Sequence, residues 1–596
     1  MTQRGKVILL ILVAGAVLAI LFSSLLVYSV YYSSPAVAEN SVLELKLTGG
    51  LAESAPPSPT ARLFSATPTT LKSVLDNIEK AKVDKRIKGL LLVLDNVQMG
   101  FAKMAELRAA LTDFKKSGKP IFAYMETCED GEYYLALTAD KIYVSPAGAV
   151  GVNGFAANPM FIHGLLTKLK VEANVERHGK YKSAGDTYTR DSMSEADREQ
   201  LDALLDDLYQ DYVQAIAQAR NKDVQQVQQL IDAGPYANAR KAADAGLIDG
   251  AFYIDQVKEQ VKQQLKMEKY VGISASKYSN VSGQELGIGK GEKIAIIYAS
   301  GIINSGKSNS SPFGGTVMGS DTIAAAIKKA REDKEIKAII LRIDSPGGSA
   351  LASDIIWREV NLAKKEKPLI ASMSDVAASG GYYIAMAADK IVAEPGTITG
   401  SIGVVLAKFN LTGLYHDHLG INIETIKRGR NADFLSNFRG FDDEERAKAN
   451  ELMMSIYQDF IGKAAEGRKM SVEAVDAVAQ GRVWSGADGK EHGLVDELGG
   501  LTKAIELAKQ MAKLPPDSSP QLIEYPKSPS LLEELFGEKD QEEIIDSEAT
   551  QRDAIARALN DSLPADLRET MATLAILKGL EQERIIAFMP YTVTFK

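Results

Sequence analysis

Hydrophobic and polar positions along this chain fall into a repeating order. Val42 to Leu47 alternates as a strand does and stops at Gly49-Gly50. Leu71 to Ala81 carries its apolar residues at helical spacing, and Gly89 to Leu94 is a short apolar run. The same order returns downstream as Ile294 to Tyr298 up to Gly301, then Thr322 to Ala330, then Ala338 to Ile343. Short apolar strands alternating with helices predict βαβ units with buried parallel strands. Each half also holds a long amphipathic helix. In the first, Ser192 with Glu195 three residues on predicts a capped start. Leu201, Leu204, Leu205, Leu208, Tyr212 and Ile216 then line one face, expected to pack on the core or on a neighbouring subunit.

The recurrence extends to individual residues. Asp84-Lys85, Ile87-Lys88 and Asp95 return as Asp333-Lys334, Ile336-Lys337 and Asp344. Tyr133-Tyr134 and Ala139-Asp140-Lys141-Ile142 return as Tyr382-Tyr383 and Ala388-Asp389-Lys390-Ile391, an offset of 249 residues. Tyr209-Gln210-Asp211 returns as Tyr457-Gln458-Asp459, and Gly246-Leu247-Ile248-Asp249 as Gly493-Leu494-Val495-Asp496. The chain is an internal duplication whose copies differ at two places. Ala378-Ser379-Gly380-Gly381 in the second copy faces Glu129-Asp130-Gly131-Glu132 in the first. Gly179-Lys180-Tyr181-Lys182 in the first faces Gly429-Arg430-Asn431-Ala432 in the second. Ser379 thus has no counterpart serine, and Lys182 no counterpart lysine.

Outside the copies, residues 7–32 form a run of 26 without a charge, preceded by Arg4 and Lys6. As a helix it would span about 39 Å, enough to cross a bilayer with tilt. The basic flank places the N-terminus inside, and Tyr28, Tyr31 and Tyr32 suit an interfacial belt. Ala36-Val37-Ala38 resembles a cleavage site, but the run is long for a signal peptide, so a retained transmembrane anchor is expected. The expected organisation is an anchor at 1–40, a first repeat at 41–273, a Gly/Ser-rich linker at 274–291, a second repeat at 292–530, and an acidic then helical tail at 531–596.

Composition narrows the function classes. A net charge of −9 gives no support to nucleic-acid binding. Cys128 is the one cysteine and makes no intrachain disulfide. His416-Asp417-His418 is the one His cluster, and with no third ligand in view it is expected to be a surface loop. No metal or cofactor is expected.

Ser379 falls between a predicted strand, Pro368 to Met373, and a predicted buried helix from Gly380. A serine there is most commonly an N-cap. Three features favour a nucleophile instead. Ala377, Ala378, Gly380 and Gly381 leave room for a substrate backbone. The Gly380 N–H, at a helix N-terminus, would face an oxyanion beside the serine. Asp344-Ser345-Pro346-Gly347-Gly348, absent from the first copy, offers a second N–H at Gly348. No histidine is placed as a partner. A lysine serves as base where burial lowers its pKa. From the residues alone Lys182 and Lys180 both stand open.

The segment Ser372 to Ala385, the loop Gly400-Ser401-Ile402-Gly403-Val404, Tyr181-Lys182-Ser183-Ala184 and Pro346-Gly347-Gly348 occur here with the duplication and the N-terminal run. In that order they closely resemble the signal peptide peptidase A family, in its long tandem form. The resemblance implies an α/β fold of tandem crotonase-like, Clp-protease-like domains behind a transmembrane helix. It implies Ser379 as nucleophile, Lys182 as general base, Ser401 orienting the amine, and Gly348 and Gly380 as the oxyanion hole. It further implies signal-peptide remnants and other apolar peptides as substrates, and a homo-tetramer or other ring-like homo-oligomer. The expected location is a bacterial inner (plasma) membrane, crossed once with the N-terminus inside and the catalytic part on the periplasmic face. Two other classes remain in view: a crotonase-type acyl-CoA enzyme and a non-catalytic membrane scaffold.

Overall fold

The structure, a computed structural model, describes residues 37–54, 69–311, 315–526 and 585–588, with Gly15 alone before them. The expected anchor at 7–32, Gly15 aside, and the expected tail, except Ile585–Phe588, lie outside the described residues. Among the described residues no helix is long and apolar enough to cross a membrane.

Each copy builds one sheet, parallel throughout in the first and parallel but for one edge strand in the second. In the first, β1 (Ser41–Gly49) pairs with β2 (Ile87–Val97) in the register Leu43↔Leu90 and Leu45↔Leu92, and β3 (Ile121–Met125) and β4 (Lys141–Val144) extend it. Leu90, Leu91 and Leu92 are all fully buried, because layers cover both faces. Helices α1 (Leu71–Val83), α2 (Phe101–Lys115) and α3 (Asp130–Ala136) cover one side. The strand β5 (Glu172–His178) leaves the sheet. Then α4 (Glu195–Arg220) returns to the core, with Leu201, Leu204, Leu208, Tyr212 and Ile216 buried and Leu205 half-buried. Its cap is Ser194, which accepts from the Asp197 N–H, and not the expected Ser192. Both serines precede the helix, but Ser194 directly adjoins its first residue. The strands β6 (Gly250–Ala251) and β7 (Gly272–Ser274) complete the sheet's edges, and α5 (Ile254–Gln264) covers its second face through Val257 and Val261.

The second copy repeats this. Its central strands are β8 (Lys293–Ser300) and β9 (Ile336–Ser345), followed by the short β10 (Gly347–Ser349). Beyond β9 stands β11 (Leu369–Ala378), which pairs low down with β12 (Lys390–Ala393) and high up with β13 (Ile398–Gly400). α6 (Ser320–Glu332), α7 (Ala350–Ala363), α8 (Gly380–Ala385) and α9 (Asp443–Arg468) stand where α1 to α4 stand in the first copy. The repeated residues do repeated work. Tyr133 and Tyr382 donate to the carbonyls of Leu247 and Leu494, and Asp249 and Asp496 accept from the N–H groups of Ile142 and Ile391.

One segment differs from expectation. The stretch from 274, read as a linker, is docked on the first copy: β7 adds to β1, Tyr278 is buried, and Lys80 donates to the carbonyls of Tyr278, Ser279 and Val281. Its counterpart beyond the prolines, β16 (Gln521–Tyr525), adds to β8 in the same way once β15 (Val483–Ser485) has closed the sheet's other edge. The copies themselves also differ locally. The α-helix His163–Lys168 of the first copy is a π-helix, Leu414–His418, in the second. The offset between copies is 249 at Gly164/Gly413 and 250 at Gly179/Gly429, so the wider turn absorbs one inserted residue.

Among the described residues one strand pairing joins the copies. β14 (Val404–Asn410) of the second pairs antiparallel with β5 of the first, from Val404↔His178 to Asn410↔Glu172. Lys182 follows β5 by four residues, and Ser401 precedes β14 by three, so the pairing carries the lysine loop to the Ser401 turn.

Candidate active site

Ser379 stands between β11 and α8, at the N-cap position, with φ 56° and ψ −114°. A non-glycine residue in that region is strained. Its side chain makes no cap hydrogen bond, which removes the ordinary job of a serine there. The backbone is held by Ser379 N–H donating to the Gly400 carbonyl at 2.8 Å and Tyr383 N–H donating to the Ser379 carbonyl at 2.9 Å. Ala378 beside it packs into the core of the first copy.

The group facing Ser379 comes from the other copy. Lys182 Nζ lies 2.8 Å from Ser379 Oγ and 3.0 Å from both the carbonyl and the hydroxyl oxygen of Ser401. Lys182 is almost wholly buried. Burial lowers its pKa to about 7. A neutral amine has two N–H groups and one lone pair, matching two Ser401 acceptors and one Ser379 hydroxyl. Lys180, the rival base, is 62% exposed and pairs with Glu199 at 3.4 Å.

Three residues that sequence reasoning missed brace the lysine loop. Tyr181 N–H donates to the Gln480 carbonyl at 2.8 Å, and Ser401 N–H to the Arg482 carbonyl at 2.7 Å. Gly481 between them has φ 77°, and a Cβ there would lie 2.6 Å from the Lys182 backbone N. Gly179 mirrors it, at φ 112° and with a Cβ position 2.5 Å from the Gln480 carbonyl. Two glycines from opposite copies thus let the two backbones touch. The signal in the sequence is one Gln-Gly pair on an unremarkable loop.

The two oxyanion candidates are brought together. Gly348 has φ 152°, and a Cβ on it would meet the Ile303 carbonyl oxygen at 2.1 Å. A Cβ on Gly380 would lie 3.2 Å from the Gly348 nitrogen. The Ser345 hydroxyl fixes the turn, donating to the Gly301 carbonyl and accepting from Gly347 N–H. A further strand, β17 (Ile585–Phe588), lies between β10 and β14, antiparallel to both, in the registers Gly348↔Ala587 and Val405↔Ile586. His416, Asp417 and His418, expected on a surface loop, are exposed on the π-helix Leu414–His418.

Two stretches of the chain, residues 113–268 and 361–515, match peptidase family S49. The chain is 40% identical over 505 residues to the chloroplastic serine protease SPPA of Arabidopsis thaliana, covering 84% of this chain and 73% of that protein. It is 34% identical over 458 residues to Protease 4 of Salmonella typhi, covering 75% of this chain and 72% of that one. An Enterococcus faecium protein named for signal peptide peptidase SppA is 34% identical over 236 residues, covering 39% of this chain and 67% of its own.

Proposed function

The chain belongs to peptidase family S49 and is a serine protease, and from that premise we propose that it cleaves apolar peptides, signal-peptide remnants among them, with a Ser379–Lys182 dyad split between its two copies. The observation that carries this is the 2.8 Å approach of Lys182 Nζ to Ser379 Oγ in a pocket where burial brings the amine down to about 7. Neutral Lys182 takes the Ser379 proton as Oγ attacks the peptide carbonyl. The N–H groups of Gly348 and Gly380 stabilise the tetrahedral oxyanion. The resulting lysine ammonium then gives its proton to the leaving amine, and water, activated by the same lysine, hydrolyses the ester. Ser401 holds the amine's other two valences, which fixes its lone pair on Ser379. The expected crotonase-like, Clp-protease-like domain accompanies this reading and is supported by the duplicated sheets. Family membership leaves the acyl-CoA and scaffold readings without support.

The mode of substrate binding is supported by β17. A peptide lying antiparallel beside β10 would make main-chain bonds to the strand that carries Gly348. The chain's own Ile585–Phe588 does this. The substrate class draws support from the name of the Enterococcus faecium relative. A serine-reactive phosphonate with an apolar peptide leader should label the wild type, label Lys182→Ala far more slowly, and leave Ser379→Ala unlabelled. Equal labelling of Ser379→Ala would sink the assignment.

We also propose that the protein is anchored in a bacterial plasma membrane through residues 7–32 and assembles as a ring of identical chains. The duplication supports the ring. β5 and β14 make one antiparallel seam within the chain, and the mirror seam would join the counterparts of those strands, residues 155–161 and 422–428. Neither counterpart is a strand within the chain. Ile421, Ile423 and Ile426 are exposed there, Ile426 at 88%. Pairing 422–428 of one chain with 155–161 of the next completes the duplication and repeats around a closed ring. The detergent-solubilised chain should sediment as a closed oligomer, and Ile423→Arg with Ile426→Arg should release monomers. A wild-type monomer would refute the ring.

A further inference from the structure

Below the site, the pairing of the two strands that lead to it breaks. β9 and β11 run in register to Ile343↔Met373 and resume at Ser345↔Ala377, so β11 carries two more residues than β9 across the gap. Asp344 and Asp375 stand in that gap. Each is four residues before a proposed catalytic group: Asp344 before Gly348, Asp375 before Ser379. On the site side of the gap a single pair, Ser345↔Ala377, ties the two strands, so the ladder leaves the placing of the two groups to be reinforced from elsewhere.

The first copy supplies it. Lys103, on the first turn of α2, is buried, with Nζ 2.7 Å from Asp344 Oδ2, 3.2 Å from Asp375 Oδ2 and 3.6 Å from Glu53 Oε1. Its backbone N–H donates to Asp375 Oδ1 at 3.0 Å, and the other oxygen of Asp344 accepts from Val376 N–H at 3.3 Å. Gly100 lets the helix come this close, since a Cβ there would sit 2.2 Å from Asp375 Cγ. Further groups surround the cluster. Arg342 on β9 is fully buried against Glu53 and against Glu106 of α2, and donates to the hydroxyls of Ser372 and Ser374 on β11. Glu394, after β12, lies near Glu106 and Arg342, and burial raises it to about 8. Burial alone would raise Glu53, but Arg342 and Lys103 outweigh it and hold the carboxyl down to about 2. For Lys103, its carboxylate partners outweigh burial and keep it charged.

We propose that Lys103 is a positioning residue of the reaction: its ammonium bridges Asp344 and Asp375 across the broken ladder and so fixes the oxyanion glycine against the nucleophile. The proposal rests on the assignment of Ser379 and Gly348 above. Without Lys103, two partly buried carboxylates face each other, repel, and spread the strand ends. The damage is electrostatic, so protonating or neutralising one carboxylate repairs it.

The test compares kcat per phosphonate-titrated Ser379 site in the full, detergent-solubilised chain. Lys103→Met should lower kcat about tenfold to a hundredfold, with KM within about threefold, as for a small misplacement of reacting groups. Its rate relative to wild type should climb as pH falls, because burial and the neighbouring Asp375 carboxylate raise the Asp344 carboxyl and Lys103 no longer opposes them. Lys103→Met with Asp375→Asn should recover most of the loss. A merely structural lysine would instead lower the number of titratable sites and leave kcat per site unchanged, and that result would overturn the proposal. So would a flat pH ratio with no recovery in the double variant. If Lys103→Met does not accumulate, Asp375→Asn carries the test, with kcat expected to fall about threefold to tenfold at constant KM; an unchanged kcat would overturn the proposal. Ser379→Ala runs alongside: retained activity there would strike the serine assignment itself.

Discussion

Asp95 and Asp344 hold the same place in the two copies. Asp95 pairs at 3.1 Å with Lys46 on the surface. Asp344 pairs with the buried Lys103 and underlies the strand end that carries Gly348. The neighbouring positions diverge in the same direction. Where the second copy has Ser379, the first has Asp130, whose carboxylate accepts from the Tyr212 hydroxyl and the N–H groups of Asn153 and Gly154. Where the second has Gly381, the first has Glu132, which accepts from Val97 N–H at its own strand end. The first copy fills with its own carboxylates the places where the second leaves room for a peptide. The first copy instead sends two lysines across to the second: Lys182 to Ser379, and Lys103 to Asp344 and Asp375.

The comparison is sharpest at the strand end. Gly348→Ala should lower kcat by about a hundredfold to a thousandfold, the scale of losing one oxyanion donor, because its Cβ displaces the turn from Ile303. Normal kinetics from that variant would break the assignment of the second copy as the reacting one.

A smaller effect lies in the pH profile. With the folded pKa of Lys182 lowered to about 7, kcat/KM should rise with pH through about 7 and level off above it. A profile flat from about 5 to about 9 would contradict a lysine base.

The two lysines lent by the first copy should also differ in stability. Among the described residues Lys182 has no carboxylate partner, and its folded pKa lies below its unfolded one. The unfolded chain therefore binds more protons between the two values, and the buried lysine costs stability that is fully felt below about 7 and fades as pH rises. Lys182→Met should raise Tm at pH 6 by more than at pH 9, while Lys103→Met should lower it. A Tm loss in Lys182→Met at pH 6 would refute this.

The smallest effect belongs to the filled site. Glu132→Gln should leave kcat within about twofold, since only local bonds to Val97 and Glu129 change. A large loss would mean that the first copy takes part in the reaction beyond the residues it lends.

Much of this was legible because it is periodic. The strands through Leu90–Leu92 and their counterparts are apolar on both faces, and Tyr133/Tyr382 and Asp249/Asp496 recur because each makes the same main-chain bond in both copies. Ser379 and Lys182 stood out as the positions where the duplication fails to repeat, and the structure brings those two together. Lys103 left no such mark. A lysine in Phe-Ala-Lys-Met reads as any helix lysine, and its partners lie 241 and 272 residues downstream, across a break in strand register that sequence periodicity does not show. The bracing at Gly481, the cap at Ser194 in place of Ser192 and the inserted strand at Ile585–Phe588 share that character. Each depends on which backbone comes near, not on pattern.

The central claim is one reaction assembled from two copies, and it is tested most directly by hydrolysis of a small apolar peptide ester by the full, detergent-solubilised chain. Wild type should be compared with Ser379→Ala, Lys182→Ala and Lys180→Ala. The account predicts that the first two fold and assemble yet lose about a thousandfold or more in kcat, while Lys180→Ala stays near wild type. Full activity in Ser379→Ala, or an active Lys182→Ala beside an inactive Lys180→Ala, would contradict it.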